Sequence, residues 1–172
     1  MRHGKPRILF SAHGLPQKVI AAGDPYQWQC EQTAAAVVAA LGIPNLDWLN
    51  TYQSRVGPMQ WIGPYTDTEI ERAGRDGVPV VVVPIAFVSE HSETLVELDI
   101  EYRVLAERSG VPAYLRIPTV SVAASFIDGL ARLVETTLTR PEIVQGPGGR
   151  RSCPATVCQC AYDLELPTKD IR

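Results

Sequence analysis

The chain has 172 residues, enough for one domain with a sizeable core, and 45% hydrophobic and 20% charged residues are ordinary for a soluble globular protein. A net charge of −3, with no basic run and no interleaving of aromatic and basic residues, excludes the usual footprint of a nucleic-acid binder. No apolar stretch approaches the roughly 20 residues of a membrane span and no secretory segment follows Met1, so the expected compartment is the cytosol, with peripheral membrane contact left open.

In chain order, Arg7 to Ala12 reads as a short apolar strand broken by His13-Gly14-Leu15-Pro16. Asp24-Pro25 marks a helix start, with Asp24 as N-cap, and the helix runs from about Tyr26 to Leu41 and stops at Gly42. Leu46 to Tyr52 alternates as a second strand. A loop rich in glycine and proline surrounds Trp61, and Thr66 or Asp67 is expected to cap a helix running to Arg75, with Gly77 after its end. Val80 to Val88 is a largely β-branched run of the kind that forms a central parallel strand buried on both faces. It leads through Ser89-Glu90-His91-Ser92 into a helix carrying Glu93, Glu97 and Glu101, which Gly110-Val111-Pro112 terminates. Ala113 to Ile117 is a fourth strand, followed by a helix from about Val122 to Thr139.

Strand and helix therefore alternate four times, which predicts a doubly wound α/β domain with a four-stranded parallel sheet flanked by helices, over residues 1–140. Residues 141–172 are expected to be a linker, marked by Gly146-Pro147-Gly148-Gly149, and an irregular cysteine-rich tail packing on the domain. No solenoid repeat or low-complexity segment is visible.

In an open parallel sheet the loops after the strands share one rim, so His13, Gln53-Ser54-Arg55 with Trp61, and Glu90-His91-Glu93 should face a common cleft. An imidazole there can accept a proton or bind a divalent metal. Glu93, Glu97 and Glu101 are four apart and line one helical face, with Asp99 off the stripe. The plainer reading is a solvated face, but no basic residue lies between Glu90 and Tyr102 to neutralise the acids. Unpaired carboxylates in a cleft attract cations, and oxygen and imidazole ligands suit a weakly held ferrous or other divalent ion. Tyr26, Met59 and Trp61 offer apolar surface at the same rim.

Four cysteines without an export signal argue for free thiols or metal ligands over disulfides. Cys153, Cys158 and Cys160 give a C-x4-C-x-C spacing in a tail too short to fold alone, and Cys30 is the only other cysteine. Four thiolates fit either zinc or a [2Fe–2S] cluster, and the spacing does not choose between them.

Four long motifs carry a resemblance. Phe10-Ser11-Ala12-His13-Gly14-Leu15-Pro16, Gly23-Asp24-Pro25-Tyr26, the segment from Gln53 to Pro64, and the segment from Pro84 to Tyr102 resemble the ferrochelatase family, in that family's order. The similarity covers roughly residues 5 to 140, and the tail resembles the cluster-binding extension of some members, although the cysteine spacing differs from the animal type. The resemblance implies insertion of Fe2+ into protoporphyrin IX. By similarity, His13 takes pyrrole protons or holds the metal, Glu93 is its partner, and Glu97 and Glu101 continue an acidic path for protons or metal. Tyr26, Met59 and Trp61 would lie near the porphyrin.

Only the second of the family's two α/β halves is resembled. The expected partner is therefore the missing amino-terminal half or a second copy of the chain. A single-domain homodimeric chelatase for a sirohydrochlorin-type tetrapyrrole and a non-catalytic tetrapyrrole- or metal-binding module are the alternative readings.

Overall fold

The computed structural model describes residues 4–140 and 150–163. The strands β1 (Arg7–His13), β2 (Asp47–Gln53), β3 (Val80–Pro84) and β4 (Tyr114–Arg116) form one sheet in the order β2-β1-β3-β4. All three pairings are parallel, and His13 lies opposite Gln53 at the carboxyl end of the β1–β2 pair. The helices are α1 (Gln17–Ala21), α2 (Tyr26–Leu41), α3 (Thr66–Asp76), α4 (Ser92–Leu95), α5 (Tyr102–Arg108) and α6 (Ala124–Leu138). The four strand–helix units expected from the sequence are present; among the described residues, the short α1 and a 3-10 turn at Ala161–Asp163 had no signal in it.

Alternation along β1 sends its side chains to opposite faces of the sheet. Leu9 packs with Val80 and Val82 against Ile70 and Ala73 of α3, Ala106 of α5 and Leu98 between them. Ile8 and Phe10 face Ala34 and Val38 of α2 on the other side. Burying each of the larger side chains contributes about 1.5–3 kcal/mol, so these two layers hold the sheet. Gly42 and Gly77, at φ of 61° and 66°, end α2 and α3 in the left-handed conformation that glycine adopts without strain.

Three expectations need correction. The Val80–Val88 run is a strand only to Pro84, after which Phe87 N–H donates to the Ile85 carbonyl and the chain turns. The run is also not buried on both faces: Val81 and Val83 are half-buried because α2 leaves part of that face open. The glutamate segment is not one α-helix. After α4 it passes through a π-helical turn, Glu97–Glu101, in which Glu101 N–H reaches back five residues to the Val96 carbonyl at 3.0 Å. Finally, neither Thr66 nor Asp67 caps α3. Tyr65 occupies that position, and the buried Thr66 hydroxyl bonds Ser11 and Thr51 instead.

The open part of the sheet face is an apolar groove of about 490 Å³, lined by Ile8, Phe10, Val81 and Val83 from the strands and by Val37 and Leu41 from α2. No α6 residue is buried, and its Ile127, Leu130, Leu133, Val134 and Leu138 are between 44% and 81% exposed. Residues 141–149, which carry the expected linker, lie outside the described residues. Beyond them the tail returns to the domain: Gln159 N–H and side-chain amide donate to the Gly23 and Ala22 carbonyls, and the Cys158 thiol to the Ala22 carbonyl. No helix among the described residues is long and apolar enough to cross a membrane.

Candidate active site

At the carboxyl ends of β1 and β2, and beside the segment that follows β3, a cleft of about 380 Å³ is lined by His13, Ser54, Arg55, Glu93, Glu97 and Glu101 among others. Because all the strands run parallel, the loops that follow them lie on one rim, so residues up to 88 positions apart share one opening.

His13 Nε2 lies 3.3 Å from Glu93 Oε1, with both side chains about one third exposed. The other ring nitrogen, Nδ1, is 2.6 Å from the Gly14 carbonyl. A carbonyl only accepts, so Nδ1 holds a proton and donates it. In the neutral ring Nε2 then presents its lone pair to a carboxylate. Two acceptors face one another across a gap that a proton or a cation closes.

The backbone around His13 is held firmly. Tyr26 donates its hydroxyl to the His13 carbonyl at 2.9 Å, and Gly14 N–H donates to the Gln53 carbonyl at 2.9 Å. Burial, reinforced by neighbouring Cys30, pushes the Tyr26 hydroxyl above its usual range and keeps it a donor. A side chain at Gly14 would be tight: a Cβ would lie 3.1 Å from the Gln53 carbonyl oxygen and 3.3 Å from the Trp61 ring, so these neighbours would have to give by a few tenths of an ångström. Trp61 is 7% exposed and stands behind His13 with ring centroids 6.3 Å apart. Its buried Nε1 has no hydrogen-bond partner among the described residues. Met59 is exposed and lines a separate shallow depression with Pro16, Gln17 and Lys18. Of the three rim residues singled out in the sequence, Tyr26 supports His13, Trp61 backs it, and Met59 stands apart from the His13–Glu93 cleft.

Glu97 is surrounded by donors that had no signal in the sequence. Oε1 accepts from Ser54 N–H and Tyr102 hydroxyl, each at 2.8 Å. Oε2 accepts from the Gln53 side-chain amide at 3.0 Å and from the Ser54 hydroxyl. Ser54 adopts φ of 62°, a strained value for a residue with a Cβ, and its backbone N–H is used by Glu97. Burial and then Glu97 itself raise the Tyr102 pKa, so that hydroxyl stays protonated.

The expectation that the acids go unneutralised holds only in part. Arg116 of β4, outside the acidic segment, donates to Glu90 at 2.6 Å and pairs with Asp99. Burial opposes ionisation of Glu90, but Thr119 N–H, the Thr94 side chain and Arg116 outweigh it and hold the carboxyl at about 2. Arg55 reaches the cleft but pairs with Asp67 and stacks on Tyr65. Among the described residues, the ion pairs to arginine on this segment fall on Glu90 and Asp99 and leave Glu93, Glu97 and Glu101 as the negative wall of the cleft.

The cysteines do not form one group. All four are free thiols: Cys30 is buried beside Tyr26, Cys153 lies in hydrogen-bond contact with Cys160, and Cys158 rests on Gly23. Burial and then Cys160 push the Cys153 thiol up. No cluster of three or more potential metal ligands occurs among the described residues, so a four-thiolate set that includes Cys30 is not assembled in this conformation.

Comparison with known proteins agrees with this architecture. The ferrochelatase family model matches residues 1–138. Ferrochelatase of Caulobacter vibrioides is 56% identical over 155 residues, 90% of this chain and 44% of the relative. That of Phenylobacterium zucineum is 56% identical over 162 residues, covering 92% and 46% of the two chains. That of Rickettsia bellii is 50% identical over 164 residues, covering 94% and 46%. The chain spans about half the length of the curated relatives it matches. With a family model matched over most of its length, the chain belongs to the ferrochelatase family.

Proposed function

We propose that this chain forms the metal- and proton-handling wall of a chelatase that inserts Fe2+ into protoporphyrin IX. The observation that carries the reading is the His13–Glu93 pair, whose opposed lone pair and carboxylate 3.3 Å apart need a proton or cation between them. Metallation releases two pyrrole protons and requires a ligand set that gives up iron readily. One imidazole and one carboxylate in a solvent-open cleft offer both a base and a weak site. Glu97 and Glu101 extend the negative wall, a route that draws in cations and draws off protons. Glu97 contributes through its charge, since its oxygens already accept four hydrogen bonds. Exposed Val56, which lines this opening, would meet the apolar macrocycle or a membrane surface, and Met59, in its separate depression, would have to be reached from outside the cleft.

The other wall is proposed to come from a second α/β half. The apolar sheet groove and the unburied stripe of α6 are both surfaces that such a half would cover. A second copy of this chain could supply them equally, which favours the homodimeric reading if the chain acts alone. The tail thiols are proposed to hold a [2Fe–2S] cluster or zinc, a reading that rests on the spacing of Cys153, Cys158 and Cys160. Cys30, buried beside Tyr26, is the candidate fourth ligand. Broad absorption between about 300 and 600 nm, lost in Cys158→Ser, would support a cluster; a colourless protein with stoichiometric zinc would sink it.

The decisive test is metal insertion by the purified chain, alone and with an amino-terminal half supplied. Insertion of Fe2+ into protoporphyrin that His13→Ala abolishes supports the proposal. Turnover only of a sirohydrochlorin-type substrate, or tight tetrapyrrole binding without turnover in either assembly, refutes it.

A further inference from the structure

Gln53 is fully buried at the end of β2, directly opposite His13 in the sheet register. Its carboxamide oxygen accepts from the Ser11 hydroxyl at 2.7 Å. Its amide nitrogen donates to the Glu93 main-chain carbonyl at 2.7 Å and to Glu97 Oε2 at 3.0 Å. The orientation is forced. Reversed, the amide would turn an oxygen toward a carbonyl and a carboxylate, leaving three acceptors without a hydrogen between them. Ser11 is in turn bonded to Thr66, and Thr66 to Thr51, so the amide is tied to a buried hydroxyl chain inside the fold. The main chain of the same residue accepts from Gly14 N–H, next to His13.

One residue thus touches the backbone beside the imidazole and the backbone of its carboxylate partner. We propose that Gln53 is the positioning residue of this site, setting the separation of His13 and Glu93 by bracing the acidic segment against the sheet. Glu97 is the second point of the brace: Ser54 and Tyr102 hold it while Gln53 bonds it. A carboxamide suits this position because it alone among neutral side chains of this length offers an acceptor to Ser11 and two hydrogens to the acidic segment. Misplacing a reacting group by about 1 Å can cost on the order of a hundredfold in rate, so a buried brace beneath the opening matters to chemistry within it.

The meaning of the His13–Glu93 separation rests on the chelatase reading, and the test separates the two ideas. Gln53→Met keeps the volume and removes the hydrogen bonds. Mn2+, which thiols bind poorly, is titrated into the full chain and followed by the loss of its free-ion resonance. The expected result is about tenfold weaker Mn2+ binding in Gln53→Met, similar to Glu93→Ala, with no further loss in the double variant. Hydrogen exchange of amides 93–97 is expected to rise at least about tenfold while the amides of β1 and β3 keep their protection. A folded Gln53→Met that binds Mn2+ as the wild type does, or that weakens binding additively with Glu93→Ala, overturns the positioning role and leaves the chelatase reading standing. If wild-type binding is indifferent to His13→Ala and Glu93→Ala, the metal reading fails. Exchange then decides alone, and unchanged protection at 93–97 overturns the brace.

Discussion

Glu90→Gln isolates the electrostatic clamp that anchors the start of the acidic segment. One Glu90 oxygen accepts from Arg116 at 2.6 Å and from Thr119 N–H at 2.9 Å, and the Thr94 hydroxyl adds to the stabilisation of the carboxylate. A glutamine is the same size and can keep its oxygen on the Arg116 and Thr119 donors, so the substitution removes charge with little change of shape. The carboxyl is held at about 2, against an ordinary 4.5, which at about 1.36 kcal/mol per tenfold sets a ceiling of roughly 3.4 kcal/mol. With 30% of the side chain exposed, solvent screening reduces this to about 1–2 kcal/mol. Because the folded value is depressed, the contribution is complete above the unfolded value near 4.5 and disappears as pH falls toward about 2. Urea unfolding followed by far-ultraviolet circular dichroism should show the variant weaker by that amount at neutral pH. The gap should narrow below about pH 4.5 and close near pH 2. A gap that stays constant across this range would refute the clamp.

Two further outcomes are expected. Gly23 sits at φ of 97°, where a Cβ would collide with the Cys158 sulfur, so Gly23→Ala should cost about 1–2 kcal/mol and lift the tail. Alkylation of Cys160, which is 5% exposed, should then accelerate severalfold; an unchanged rate would mean the tail is anchored elsewhere. Leu133→Glu on α6 should change the stability of the isolated chain by less than about 0.5 kcal/mol, because that side chain is 55% exposed. The same substitution should weaken association with a second half or second copy, read by light scattering. A loss above about 2 kcal/mol would show that α6 packs on its own domain.

Much of the frame was readable one segment at a time. A β-branched run, glycines after Leu41 and Asp76, and Asp24-Pro25 before a long helix are local signals, and the strands and helices followed them to within a few residues. Asp24 shows how such a signal can be right in kind and displaced in detail: it accepts from Tyr26 N–H at 2.8 Å, although Pro25 is the residue flanking the helix. The meeting of His13 with Glu93 was also legible, because alternating strands and helices admit few topologies and all of them bring these loops to one rim.

What escaped the sequence depends on partners remote along the chain. Arg116 neutralises acids 17 and 26 positions away, and Gln53 bonds residues 40 and 44 positions away. The π-helical turn replaced the expected α-helix where the acidic segment is tied to β2 through Gln53 and Ser54. Composition and periodicity report what a segment prefers and which face it buries. They do not report which buried polar group finds which donor, since that is settled only when the sheet closes and unpaired groups become costly. Local pattern alone specifies a parallel α/β frame with a histidine and a row of glutamates at one rim. The tertiary structure decided that one glutamate faces the imidazole while its neighbour is held by four donors, because only packing brings the end of β2 beneath the acidic segment.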